Sequence, residues 1–181
     1  MEPILFADTE AFEAWLSSYH GQTSEVWILV GKKGSGVASL SVEQALDVAL
    51  CYGWIDGQRK GFDDRHFLQR YVPRRPRSTW SQVNVAKVEA LTAAGRMRPA
   101  GLAEVAKAQA DGRWAAAYPS QRNATVPSDL AAALAADDHA RAAFDALPGT
   151  ERYLLILQLL KLRTPAGRAA RVQAVLKQLA A

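Results

Sequence analysis

The chain has 181 residues, 49% of them hydrophobic and 22% charged, which is enough to bury a real interior within one domain, or a compact core with a small appended module. Its one cysteine, Cys51, excludes an intramolecular disulfide, and its longest apolar run, Tyr153 to Leu160, is interrupted by Gln158 and is far shorter than the roughly 20 residues that cross a bilayer. The net charge of +4 is unevenly spread: residues 1–55 carry −5, residues 56–113 carry +6 and residues 114–181 carry +3, so an anionic partner would be drawn to the middle. Met1 to Glu10 has no basic stretch followed by an apolar one, so a secretory signal is not expected; the expected location is the cytoplasm, without membrane insertion.

Asp8 stands as an N-cap before Phe12, Trp15, Leu16 and Tyr19, the i, i+3, i+4, i+7 spacing of one helical face, which Gly21 stops. Glu25 to Lys33 is rich in β-branched and aromatic residues and predicts a strand covered on both faces, closed by Gly31 to Gly36. Those glycines echo a phosphate loop, but the Walker spacing is not met and a linker is the better reading. Ser41 with Gln44 makes a capping box for a second helix that ends near Gly53. Trp54 to Lys60 and His66 to Val72 predict an antiparallel hairpin whose turn holds Gly61, Asp63 and Asp64; Pro73 and Pro76 forbid further ladder pairing. Thr79 with Gln82 predicts another capping box, with Trp80, Asn84, Val88 and Leu91 on one stripe of a helix ending at Gly95. Pro99 or Gly101 opens a further helix that runs to Asp111 before Gly112. A polar connector over residues 116–127 follows, and four helices are predicted at 128–136, 137–147, 150–162 and 165–179, with Tyr153, Leu154, Leu157 and Leu160 as an apolar stripe.

These elements predict an α+β protein: a small antiparallel sheet of about three strands with flanking helices over residues 1–115, the connector at 116–127, and an all-helical module at 128–181 packed on the core domain. Trp15, Leu46, Leu50, Trp54 and Val88 are expected to share the first core.

The run Ala49-Leu50-Cys51-Tyr52-Gly53-Trp54-Ile55-Asp56-Gly57, then Tyr71-Val72-Pro73-Arg74-Arg75-Pro76 and Ser78-Thr79-Trp80-Ser81-Gln82-Val83-Asn84, resembles the YdeI/OmpD-associated family. Gly95-Arg96-Met97-Arg98-Pro99-Ala100-Gly101 and Asp111-Gly112-Arg113-Trp114 extend the resemblance, as do Val126-Pro127-Ser128-Asp129-Leu130, Ala143-Phe144, Arg168 and Arg171 in the C-terminal third. Gly167 departs from the Thr that the family favours before the first of those arginines. The resemblance implies a bacterial protein connected with envelope stress and with resistance to bacteriocins or antimicrobial peptides, and it brings no cofactor and no catalytic residue.

Two readings of the site follow from the residues. In the first, Arg70, Arg74, Arg75 and Arg77 precede a helix N-terminus and bind an anionic small molecule or an acidic protein surface, with Trp54, Trp80 and Asn84 beside them; guanidinium forks suit phosphate or carboxylate, and nucleic acid is a weaker candidate. The same arginines also read as partners for the acidic first 55 residues. In the second, Asp56 acts with Arg74 and Arg75 as an enzyme pocket walled by Trp54 and Trp80, against the plainer reading of Asp56 as an ion-pair partner within the hairpin. Cys51 reads as a buried thiol, since His20, His66 and His139 are scattered, and no His or Cys pair has metal-ligand spacing, so neither metal nor cofactor is expected.

Overall fold

The computed structural model describes residues 2–180 and divides the chain into two compact units: residues up to Ser78 with Asn84–Ala115, and Thr79–Val83 with the residues from Ala116 onward. Thr79–Val83, which the sequence pattern assigns to the first domain, thus groups with the second unit.

The first unit is built on a four-stranded sheet in the order β1-β2-β4-β3, formed by β1 (Ile4–Leu5), β2 (Val26–Gly31), β3 (Trp54–Gly61) and β4 (His66–Pro73). The strands β2, β4 and β3 run antiparallel as expected, whereas β1 adds a fourth, parallel to β2. Two residues show no alternation to read, which is why the sequence pattern yields three strands. Pleating sends Val26, Ile28 and Val30 to one buried face, in register with Tyr71, Gln69 and Phe67. Helices α1 (Thr9–Tyr19) and α2 (Val42–Cys51) pack there: the Phe12 ring lies 5.6 Å from Tyr71, and the Tyr71 hydroxyl donates to the Val42 carbonyl at 3.2 Å. Both helices start as their sequences dictate, with the Asp8 carboxylate accepting from the Ala11 N–H and a complete capping box at Ser41 and Gln44. Of the expected core, Leu50, Trp54 and Val88 are buried while Trp15 and Leu46 are half-buried; Tyr19, at the end of the α1 stripe, is 45% exposed.

Helix α3 (Gln82–Ala93) begins later than its predicted capping box requires. Gln82 is the first helical residue, so it cannot serve as the third, and its N–H donates to the Tyr118 carbonyl at 2.8 Å. Tyr118 in turn donates to the Trp80 carbonyl at 3.0 Å, and Ser81 and Tyr118 form a parallel bridge, so Trp80 sits in a short extended segment ahead of the helix. Helix α4 (Pro99–Ala110) takes Pro99 at its first position, where the missing N–H costs nothing.

The second unit contains a 3-10 turn at Gln121–Asn123 and the helices α5 (Ser128–Ala135), α6 (Asp138–Ala146), α7 (Gly149–Leu160) and α8 (Pro165–Leu179), close to the four expected spans. Their core gathers Leu130, Leu134, Phe144, Leu155, Ile156, Leu159, Val172 and Val175. The buried stripe of α7 is Leu155, Ile156 and Leu159, whereas Leu154 of the expected stripe is 49% exposed. The run is apolar on nearly every side, so its periodicity does not select a face, and a shift of one residue turns the helix by about 100°.

Arg168 clamps the unit: its Nε and Nη2 donate to the two oxygens of Asp129, both at 2.8 Å, and its Nη1 donates to the Leu159 carbonyl at 2.9 Å. The Arg168 hydrogen bonds hold the Asp129 carboxyl below the usual carboxylate range. A depressed carboxylate stabilises the fold fully above its unfolded pKa of about 3.9, and that contribution disappears as pH falls through the folded value. Asp129→Asn is therefore expected to lower the melting temperature near neutrality and to converge with the parent protein as pH drops below about 4. Melting curves across that range check this; a deficit independent of pH would contradict it.

Candidate functional site

The arginine segment does not form a single surface. Arg70 lies on β4, ion-paired with Glu25 and 6.0 Å from the Trp27 ring, whose other close cation is Lys60 at 4.8 Å. Arg74 is buried, at 6% exposure, and its N–H donates to the Gly53 carbonyl. Arg75 and Arg77 are exposed, flanking Pro76, in a turn closed by the Ser78 Oγ accepting from the Arg75 N–H at 3.0 Å. Trp54 is 1% exposed, edge-on to Trp15 at 6.1 Å, and offers no stacking face to solvent. Trp80 is 2% exposed and belongs to the other unit, and Asn84 is half-buried near the start of α3. Asp56 is exposed on β3 opposite Tyr71. The helix N-terminus that was to join the arginines has its first N–H occupied by Tyr118.

A cavity of about 600 Å³ opens elsewhere in the first unit, between α1, the end of α2 and the start of α4. Two glycines make it. Gly53, at φ +74°, stops α2 just after Tyr52, a backbone turn that other residues rarely adopt. Gly101 lets the first turn of α4 rest on the end of α2 so closely that a Cβ at this position would lie 2.2 Å from the Cys51 carbonyl oxygen. That carbonyl also accepts from the Arg98 N–H at 3.1 Å, which fixes Arg98 as the residue leading into α4. On the facing wall, Glu13, Ser17 and His20 fall on one side of α1 by their i, i+4, i+7 spacing, next to the buried Phe12 and Leu16.

The polar groups around this cavity are organised. Arg98 donates through Nε to Glu13 Oε1 at 3.0 Å and through Nη2 to the same oxygen, and it also hydrogen-bonds Tyr52. His20 Nδ1 is 2.8 Å from the Leu16 carbonyl oxygen; a carbonyl only accepts, so Nδ1 carries a hydrogen and donates it there. The His20 ring lies 5.3 Å from that of Tyr52, which is 7% exposed. Beneath them, burial pushes the Cys51 thiol pKa up, against the opposing charge of Arg96, so it stays protonated and unreactive. The α1 wall thus presents the Glu13 carboxylate with Ser17 and His20 along the same side, and the facing wall carries the donors of Arg98 and Tyr52, with the start of α4 adding its positive end. Among the described residues no group of three or more His, Cys, Asp or Glu could hold a metal ion, and no helix is long and apolar enough to cross a membrane.

None of these cavity residues stands out in the sequence as a site. Tyr52 and Arg98 do lie inside two of the motifs that carry the family resemblance, each followed closely by the glycine that brings the motifs together, Gly53 and Gly101.

Two family models match the chain. One described as a domain of unknown function (DUF8412) matches residues 4–104, and one described as bacteriocin-protection, YdeI or OmpD-associated matches residues 123–181. The expected YdeI/OmpD-associated resemblance is thus found in the helical unit, and the cavity lies within the other match. Comparisons with curated proteins and with solved structures found no match.

Proposed function

Because the chain belongs to the family described as a domain of unknown function (DUF8412), and its residues 123–181 match the bacteriocin-protection, YdeI or OmpD-associated model, we propose that it is a binding protein serving bacteriocin protection. In this reading its first unit takes a small molecule bearing an acid group into the cavity between α1, α2 and α4. The observation that carries it is Arg98, a guanidinium 48% exposed at the rim of a 600 Å³ space and held in place through Glu13 and Tyr52. A cavity of this size holds a small ligand, and a guanidinium with five N–H donors retains hydrogen bonds for an incoming carboxylate or phosphate after serving Glu13. The exposed Arg75 and Arg77 serve at most as a secondary attraction for anions, since the other two arginines of that segment are engaged or buried.

Thermal-shift and calorimetric titration with a panel of small carboxylates and organic phosphates tests this. A ligand present at a hundred times its dissociation constant adds about 2.7 kcal/mol to stability, a shift of several degrees for a protein of this size. Arg98→Ala is expected to weaken binding at least about tenfold, equal to about 1.4 kcal/mol, while Arg75→Glu/Arg77→Glu leaves it within about twofold. Binding that survives in Arg98→Ala and is lost in the double reversal would return the site to the arginine segment.

A further inference from the structure

We infer that the ligand of this cavity is a zwitterion of the α-amino-acid type, its carboxylate on Arg98 and its ammonium on Glu13. The inference rests on the proposed binding role of the cavity and specifies its chemistry. Glu13 and Arg98 face each other across the rim in direct contact, so the polar part of the cavity is neutral as a pair. A ligand carrying only a carboxylate, taken by the donors that Arg98 keeps after serving Glu13, would lie beside the Glu13 carboxylate, a like charge. A ligand carrying only an amine would meet Arg98 in the same way. In both cases the attraction gained is offset by a repulsion from the other member of the pair. A molecule whose carboxylate and ammonium sit on one carbon can enter between the two side chains and satisfy both at once, so that one ion pair becomes two. The net charge of the site is then unchanged by binding.

The rest of the cavity agrees with such an occupant. The donors of Arg98 and Tyr52, with the positive end of α4, stand on the side where the carboxylate would lie. Ser17 and His20 follow Glu13 about one and two turns along the same side of α1 as further hydrogen-bonding groups. With His20 Nδ1–H committed to Leu16, Nε2 is the ring nitrogen left for a ligand. Ala14, Pro99 and Ala100 give the cavity an apolar lining beside these groups, where the side chain of the amino acid would rest.

The test uses matched probes on the full chain: L-phenylalanine and L-leucine, each beside the acid that lacks its amine (3-phenylpropanoate, 4-methylpentanoate) and the amine that lacks its carboxylate. The amino acids are expected to bind at least tenfold more tightly than either partial analogue. Glu13→Gln is expected to erase that preference, weakening the amino acids at least tenfold while the des-amino acids bind as well as before or better, because Arg98 is released. The melting temperature of Glu13→Gln, expected to stay close to that of the parent protein, together with its retained binding of the des-amino acids, guards against loss of fold in that variant. Equal binding of acid and amino acid would overturn the inference and leave the acid-binding role standing. Binding of none of the six probes, with the melting temperatures intact, would overturn both.

Discussion

Gly101→Ala is expected to destabilise the first unit by about 3 kcal/mol or more, although alanine is the better helix former by about 1 kcal/mol. The two effects have opposite signs, and their sizes decide the outcome. A Cβ at this position would stand 2.2 Å from the Cys51 carbonyl oxygen and 2.9 Å from that of Leu50, both backbone atoms inside α2 that cannot rotate away. The overlap can be relieved only by moving α4 off α2, which also breaks the hydrogen bond from the Arg98 N–H to the Cys51 carbonyl and opens the cavity. Urea denaturation measures the first effect; ligand titration of the surviving folded fraction measures the second. A loss below about 1 kcal/mol would mean that the helices yield easily and that the close approach does not set the cavity.

Arg74→Glu is expected to cost about 3–5 kcal/mol, because it places a carboxylate where a guanidinium is buried at 6% exposure. Arg75→Glu/Arg77→Glu is expected to change stability by less than about 0.5 kcal/mol, since both side chains are exposed. Neighbours along the chain therefore differ by several kcal/mol in response to the same reversal. A stable Arg74→Glu protein would refute the structural role of this residue. Reversing Arg74 and Arg75 together would mix the two effects, so the exposed pair is the variant to use when testing whether the segment attracts anions.

The course of the chain was largely legible in its residues. The helix starts at Asp8, Ser41 and Pro99 follow from capping chemistry and proline placement, which act within a few residues. The failures share a different cause. At Trp80 to Gln82 a plausible capping box lost to Tyr118, more than thirty residues away in sequence, whose backbone pairs with the same segment. The cavity was hidden for a similar reason: Glu13, Ser17 and His20 look like the solvated side of an amphipathic helix until Tyr52 and Arg98 are brought opposite them. No local pattern states that juxtaposition; only the two glycines hint that two backbones meet. The arginine cluster shows the converse, that proximity in sequence can place successive guanidinium groups in an ion pair, in the interior and in solvent.

The five residues Thr79–Val83 bear on how such a chain can be inherited. The two family matches do not overlap, one ending at residue 104 and the other beginning at 123, as if two modules had been joined through a connector. Yet the helical unit holds a segment drawn from inside the first match, tied by the backbone of Tyr118. A recombination event that exchanged everything after residue 115 would bring in a helical module while leaving its extended clasp, with Trp80, on the old partner. Because the tie is made by main-chain groups, a donor module needs only a backbone N–H and carbonyl in the right place at its own Tyr118 position, which excludes proline there and leaves the side chain open.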